Sequence, residues 1–447
     1  MPGECPTTAV SAPGKVLLAG GYLVLDRAYT GLVFGLSARI SVIAQEIHTS
    51  QGVQLSEIIV ESPQFLEAQW RYGYRLADED GGIKVTQLQT GASISANPFV
   101  ETTLSYALTY IARAARQGPT QSSIRPTRLT VLADNDYYSN SGFVNAAPGA
   151  RFARFGARLS DAHKTGLGSS AALVTALTAA ILTHYLDPTL FDPSADAGRT
   201  TLHNLAQAAH CAAQGKVGSG FDVAAAVYGS CRYRRFSPNV LAGLPEPGTP
   251  GFAARLDAVI GGGGNTKWDN EVVKDGVSLP PGVAVRMCDV DCGSQTVGMV
   301  KKVLAWRAGD EVTAKALWDD LQRRNEALAQ VLREGRAGDI REAVRSVREL
   351  VRKMGTESGV PIEPESQTAL LDALEGVEGV YGGVVPGAGG FDAVALLLKD
   401  DGETLARLEK FLDDWGKTKD GKVTLLGVKG EMEGARVEKL DAYDGWF

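Results

Sequence analysis

The 447-residue chain is 44% hydrophobic and 22% charged, proportions of a folded globular protein that exclude a disordered, collagenous or coiled-coil chain. Its 45 Lys and Arg against 52 Asp and Glu leave a net charge of −7, which excludes the broad basic surface that non-specific nucleic-acid binding needs. The length fits two or three domains, and the five cysteines, an odd number without a CxxC pair, read as reduced thiols.

The opening MPGECPTTAV has neither a basic nor an apolar region, so no secretory signal is read there and a cytoplasmic protein is expected. Residues 10–19 and 32–47 read as strands, the second from the alternating and β-branched SARISVIAQEI. Residues 97–116 carry apolar positions at helical spacing, open on Asn97 and Pro98, and end before Gly118 and Pro119, which predicts a helix. A strand is predicted at 128–133. The segment that follows, about thirty residues up to Thr165, is longer than an ordinary connection, as functional or disordered segments are.

The apolar stretch from Gly166 is rich in Ser, Thr, Gly and Ala and reads as a buried helix, not a membrane span. Helices at 201–214 and in FDVAAAVYG follow, then a strand at 231–236. The Pro- and Gly-rich run 237–264 is the expected domain boundary, dividing the chain into 1–236 and 237–447. Beyond it, strands are predicted at 283–290, 380–385, 393–398 and, last, 423–428. Helices are predicted at 296–306, 311–334, 338–354, 365–374 and 402–415. The result is two mixed domains of an α+β protein.

Four segments carry chemistry. In KTGLGSSAA, residues Lys164, Gly166, Leu167, Gly168, Ser169, Ser170 and Ala171 form a glycine-rich turn leading into a helix. Small residues let backbone N–H groups approach an anion, and the helix start adds partial positive charge, the makings of a phosphate cradle. The Ser169 and Ser170 hydroxyls either cap the helix or reach a metal ion, and a plain Gly-Ser cap fits the same letters. The segment is not a GxxxxGK[ST] loop, because the Gly-Lys-Thr at Gly416 has Phe411 in place of the first glycine. SAPGKVLLAGGY sets Lys15 near the start of a strand. In GKVGSGFD, Asp222 follows a glycine-rich turn at a helix start, where Asp is most often an N-cap. VPGAGGFDA, at 385–393, fits a turn between strands.

In this order the segments resemble the GHMP kinase family, whose three motifs match APGKVLLAGGY, GLGSSAA and PGAGGFDA across most of the chain. Within it, QGKVGSGFDVAAAVYG, AGGYLVLD and DCGSQTVGMVKKVLAWR look like the phosphomevalonate kinase branch, nearest its eukaryotic, fungal type. The resemblance implies a two-domain fold, with an N-terminal half like the second domain of ribosomal protein S5 and a ferredoxin-like C-terminal half. It implies transfer of the ATP γ-phosphate to 5-phosphomevalonate, with Mg2+, in a monomer or homodimer without nucleic-acid or membrane partners. By position, Asp222 and Lys15 would be catalytic, while Lys164 and residues 166–171 would bind ATP. Lys15, Lys216, Ser219, Ser294, Thr296 and Gly389 would bind the substrate. Such chemistry needs alignment and charge neutralisation more than a strong base, and lysines supply point charges.

One departure stands out. Several relatives carry a metal-binding Glu on the helix before the catalytic Asp, yet residues 201–214 contain no acid. Magnesium is left to Ser169, Ser170, phosphates and water, or to Asp222 itself. The histidines fit no metal pattern, and His203 and His210 read as helix packing or polar groups. Another GHMP enzyme, such as a mevalonate kinase or the decarboxylase of mevalonate diphosphate, and a non-catalytic ligand sensor on the same fold are the alternatives.

Overall fold

The computed structural model describes residues 5–50, 55–88, 95–117, 124–139, 143–144, 149–262, 267–290, 298–418 and 421–447. Along the first half run β1 (Thr8–Ala19), β2 (Gly31–Glu46), β3 (Glu57–Glu61), β4 (Gln69–Leu76), β5 (Ile83–Leu88), α1 (Pro98–Gln117), β6 (Thr127–Ala133), β7 (Phe143–Val144), β8 (Arg154–Phe155), α2 (Ser169–Tyr185), α3 (Asp196–Gln214), α4 (Phe221–Tyr228) and β9 (Cys231–Arg234). The second half adds α5 (Phe252–Gly261), β10 (Glu271–Val273), β11 (Val283–Val290), α6 (Met299–Gly309), α7 (Glu311–Arg333), α8 (Ile340–Ser358), α9 (Glu365–Leu374), β12 (Val380–Val384), β13 (Ala393–Lys399), α10 (Gly402–Thr418), β14 (Val423–Glu431) and β15 (Arg436–Glu438).

Thirteen of the strands join one sheet whose main path is β12-β13-β11-β14-β2-β6-β3-β4-β5, with β1, β9, β10 and β15 attached beside it. Only the β3–β6 pair is parallel among the described pairs. In the second half, the order β12-β13-β11-β14 with helices between β11 and β12 and between β13 and β14 is the split βαβ arrangement of a ferredoxin-like domain. The α+β, two-domain expectation holds.

The helix α2 carries Ala, Val, Leu and Ile on every side and is buried along nearly its whole length, as a helix apolar all round must be. It lies against β1 and β2 and contacts α1, α3 and α4. The turn that opens it is held against β1 at Lys15, and Ser170 at its start lies with Asp222 of α4 around one histidine of α3. The predicted cap of α1 forms, with Asn97 Oδ1 accepting from the Val100 amide at 3.3 Å.

Several elements depart from the sequence reading. The strands β3 to β5 went unread, being short and only partly buried, so that sheet pairing more than local pattern defines them. The helix α5 lies inside the run expected to be a boundary. Phe252 and Leu256 are buried, with the Phe252 ring edge-on to Tyr106 at 5.1 Å, and the glycines that looked like linker, Gly251 and Gly262, end it with φ of 75° and 64°. The strand β15 follows the one read as last. It pairs with β1 through Val10 and Val437, a contact no local signal announces.

Candidate active site

Near Lys15 the β1–β2 register shifts between Pro13 and Gly14, a bulge of the kind that re-aims side chains beside active sites. A Cβ on Gly14 would stand 2.9 Å from the Leu167 carbonyl oxygen, so glycine there lets the 166–168 turn close onto the strand. The Lys15 backbone N–H donates to Leu167 O at 2.9 Å, and its Nζ donates to Gly166 O at 3.4 Å. The half-buried ammonium also stands 5.7 Å from the Phe221 ring centroid. Burial pushes the Lys15 pKa below the usual lysine value, while the negative charge of Asp222 opposes that shift.

Gly168 occupies the cap position of α2 with φ 82°, and no side-chain cap or first-turn acid lies there. Ser169 and Ser170 therefore open the helix and do not cap it, which leaves the positive end of the dipole facing outward. Lys164 is exposed, bridged to Tyr138 through the backbone. It borders a cavity with Ser169, Ser170, Asn97, Phe99 and Trp70. The turn between Lys164 and α2 is tied down by Thr165, whose hydroxyl donates to Asp136 O at 2.5 Å.

Asp222 is the second residue of α4. The cap position belongs to Gly220, at φ 85° with no side-chain cap bond, so the N-cap reading of Asp222 is corrected: its Oδ1 accepts from the adjacent Val223 amide at 3.0 Å. A Cβ on Gly220 would meet Gln207 Oε1 and Tyr233 Oη at 2.7 Å, which fixes glycine there. Lys216 is exposed on the turn before α4, and the Ser219 carbonyl accepts from Tyr233 Oη at 2.8 Å.

The third motif is stitched to the first. Gly387 N–H donates to Leu17 O at 3.2 Å, and Tyr22 Oη donates to Ala388 O at 2.6 Å. Gly389, at φ 80°, packs on the 359–364 turn, where a Cβ would lie 2.2 Å from Ile362 O. Ser294 and Thr296 lie outside the described residues.

His210 is the site residue that the sequence did not single out. Its Nε2 lies 3.2 Å from Ser170 Oγ and 4.0 Å from Asp222 Oδ2. Burial lowers its pKa, against Asp222, which raises it. His203, by contrast, packs between Tyr228 and Trp268, with ring centroids 5.5 and 5.4 Å away, as the helix-packing reading expected.

Residues 158–230 match the family model of the GHMP kinases N terminal domain. A solved structure, Streptococcus pneumoniae phosphomevalonate kinase in complex with phosphomevalonate and AMPPNP, has a TM-score of 0.61 to this chain, covering 95% of it and 99% of that chain at 17% identity. The fold is that of the GHMP kinases. Phosphomevalonate kinase of Gibberella zeae is 65% identical over 441 residues, 99% of each chain, and that of Aspergillus fumigatus 46% identical over 486 residues, 98% of each. The chain belongs to the phosphomevalonate kinases, ATP-dependent phosphotransferases.

Proposed function

We infer that this protein transfers the γ-phosphoryl group of ATP to the phosphate of 5-phosphomevalonate, giving mevalonate 5-diphosphate and ADP. The observation that carries the reading is Lys15, hydrogen-bonded to the 166–167 carbonyls and within electrostatic reach of Asp222 at the open N-terminus of α2. The amides at the start of α2 take the nucleotide phosphates, with Gly166, Leu167, Gly168, Ser169, Ser170 and Ala171 in contact and Lys164 adding charge. The cavity bordered by Asn97, Phe99, Trp70 and Tyr138 takes the base. A phosphate oxygen of the acceptor attacks the γ-phosphorus as ADP departs. Lys15 neutralises charge that builds on the transferred group, and Asp222 orients the acceptor, whose phosphate needs no strong base. Lys216, Ser219, Gly389, Ser294 and Thr296 complete the acceptor side.

The donors present fit Mg2+ held mainly by phosphate oxygens and water. Beside α2 stand one carboxylate, Asp222, and two hydroxyls, Ser169 and Ser170, and among the described residues there is no group of three or more His, Cys, Asp or Glu to build a protein cage. When bound, Mg2+ supplies charge neutralisation at the phosphates.

Among the described residues no helix is long and apolar enough to cross a membrane. Cytoplasmic residence is part of the same reading, supported by free Cys5, Cys211, Cys231 and Cys288, as is a monomer or homodimer. The division into 1–236 and 237–447 is proposed on the Pro- and Gly-rich run at 237–264; α5 and β10, which follow residue 236, pack on α1 and β9.

The test is ADP formation and product mass with ATP, Mg2+ and, in turn, mevalonate, 5-phosphomevalonate and mevalonate diphosphate. Turnover of 5-phosphomevalonate alone is expected. Equal or faster turnover of mevalonate would overturn the assignment.

A further inference from the structure

Four helices meet at one imidazole. His210, on α3, is 2% exposed, and its ring lies tilted against Phe99 of α1 with centroids 5.6 Å apart. Its Nε2 shares a hydrogen bond with Ser170 Oγ of α2 at 3.2 Å, lies 3.3 Å from Gln214 Nε2, and stands 4.0 Å from Asp222 Oδ2 of α4. Asp222 Oδ1 is engaged by the Val223 amide, so Oδ2 is the oxygen that faces the ring.

A buried ring nitrogen costs free energy unless it has a partner. A core helix asking only for bulk at this place would be served by an aliphatic residue. A serine at a helix start has three rotamers and a freely turning hydroxyl, and a fixed nitrogen at 3.2 Å selects among them. The same nitrogen faces the Asp222 carboxylate at 4.0 Å, an electrostatic contact and not a direct hydrogen bond. We propose that His210 is a positioning residue for phosphoryl transfer, aligning the Ser170 hydroxyl of the phosphate loop with the Asp222 carboxylate. It touches neither substrate and acts through these two groups. The inference rests on the kinase reading above.

The experiment compares His210→Leu, His210→Gln, Ser170→Ala and the Leu/Ala double variant. Each is measured for melting temperature, for AMPPNP affinity by titration, and for kcat and KM with 5-phosphomevalonate. The leucine keeps bulk without polarity, whereas glutamine carries a polar atom to the place of Nε2. In His210→Leu, kcat is expected to fall roughly 10- to 100-fold, the range for residues that orient a contacting group, with KM and AMPPNP affinity within about threefold, the mark of an effect confined to the transition state. His210→Gln recovers most of that loss. The double variant loses little more than the worse single variant, because both act through one contact.

A folded His210→Leu with kcat within about twofold of wild type overturns the proposal, as do a glutamine variant no faster than the leucine one and multiplicative losses in the double variant. Should His210→Leu fail to fold, His210→Gln against His210→Asn decides: the shorter side chain fills the ring's place but falls short of Nε2, so it should be the slower, and equal rates overturn the proposal. Failure of the wild-type protein to form ADP from 5-phosphomevalonate strikes instead at the kinase reading, and the AMPPNP titration keeps the two failures apart.

Discussion

The Lys15 backbone N–H donates to the Leu167 carbonyl at 2.9 Å, and the Lys15 ammonium reaches Gly166 O, 151 residues along the chain, at 3.4 Å. A strand and a glycine turn from distant parts of the sequence thus share one rigid junction. Moving the turn moves the lysine, because each holds the other through backbone atoms.

Gly168→Val tests that junction. The position has φ 82°, and a Cβ would stand 2.7 Å from Lys15 Cε, whereas Gly166, at φ 74°, has nothing within 4 Å of its Cβ position. Both substitutions put a side chain at positive φ, at a cost of about 1–2 kcal/mol, and Gly168→Val adds β-branching and the clash with Lys15, so its melting temperature should drop further than that of Gly166→Ala. ATP titration should be abolished in the first and weakened only modestly in the second. Equal loss of binding in both would return the effect to backbone strain.

Asp222→Asn keeps size and the Val223 contact but removes the charge. With Gly220 at the cap, thermal stability should hold within a degree or two, while kcat falls on the order of 10²-fold or more with KM little changed. Steady-state kinetics and melting on one preparation check this, and near-wild-type kcat would return the charge work to Lys15 and Lys164.

His203 predicts an acid-sensitive core. The ring is buried, with Nδ1 at 3.1 Å from Asn204 Oδ1 and Nε2 without a partner, and burial lowers its pKa to about 4. A histidine depressed on folding stabilises fully above its unfolded pKa of about 6.5 and loses that contribution as pH falls toward 4, because the unfolded chain takes up the proton first. Between pH 7 and pH 5 this group alone should cost about 2 kcal/mol of unfolding free energy. Asp134, raised to about 6 by burial, acts with the opposite sign. Urea denaturation of wild type and His203→Gln at both pH values isolates the histidine share: the variant should show a smaller loss, and identical losses would contradict the assignment.

Arg348 predicts a stability effect remote from the chemistry. It pairs with Glu363 at 2.7 Å and Glu375 at 3.3 Å, with all three side chains at most 4% exposed. Arg348→Met leaves two buried carboxylates, Glu363 held by Arg352 and the Thr368 hydroxyl and Glu375 by Arg345, and should cost about 3 kcal/mol in denaturant unfolding. Arg348→Lys should recover only part, since an ammonium cannot serve both carboxylates through a planar fork. Removing both acids along with the arginine should cost less than removing the arginine alone.

The sequence alone determined the three motifs, their order, the main strands β1, β2 and β6, and most of the helices. Glycine turns, caps and apolar periodicity are local properties, which is why Asn97 caps α1 and Gly215 ends α3 as read. Only the tertiary structure decided that Gly220, and not Asp222, holds the cap of α4, since the cap residue takes φ 85° and Gln207 and Tyr233 leave no room there for a Cβ. It alone decided that Gly251 and Gly262 close a helix and not a linker, because the burial of Phe252 against Tyr106 outweighs the local preference of a glycine-rich run. It alone brought His210 to Ser170 and Asp222. No spacing along the chain encodes that meeting, because the packing of α2, α3 and α4 against one another sets those distances.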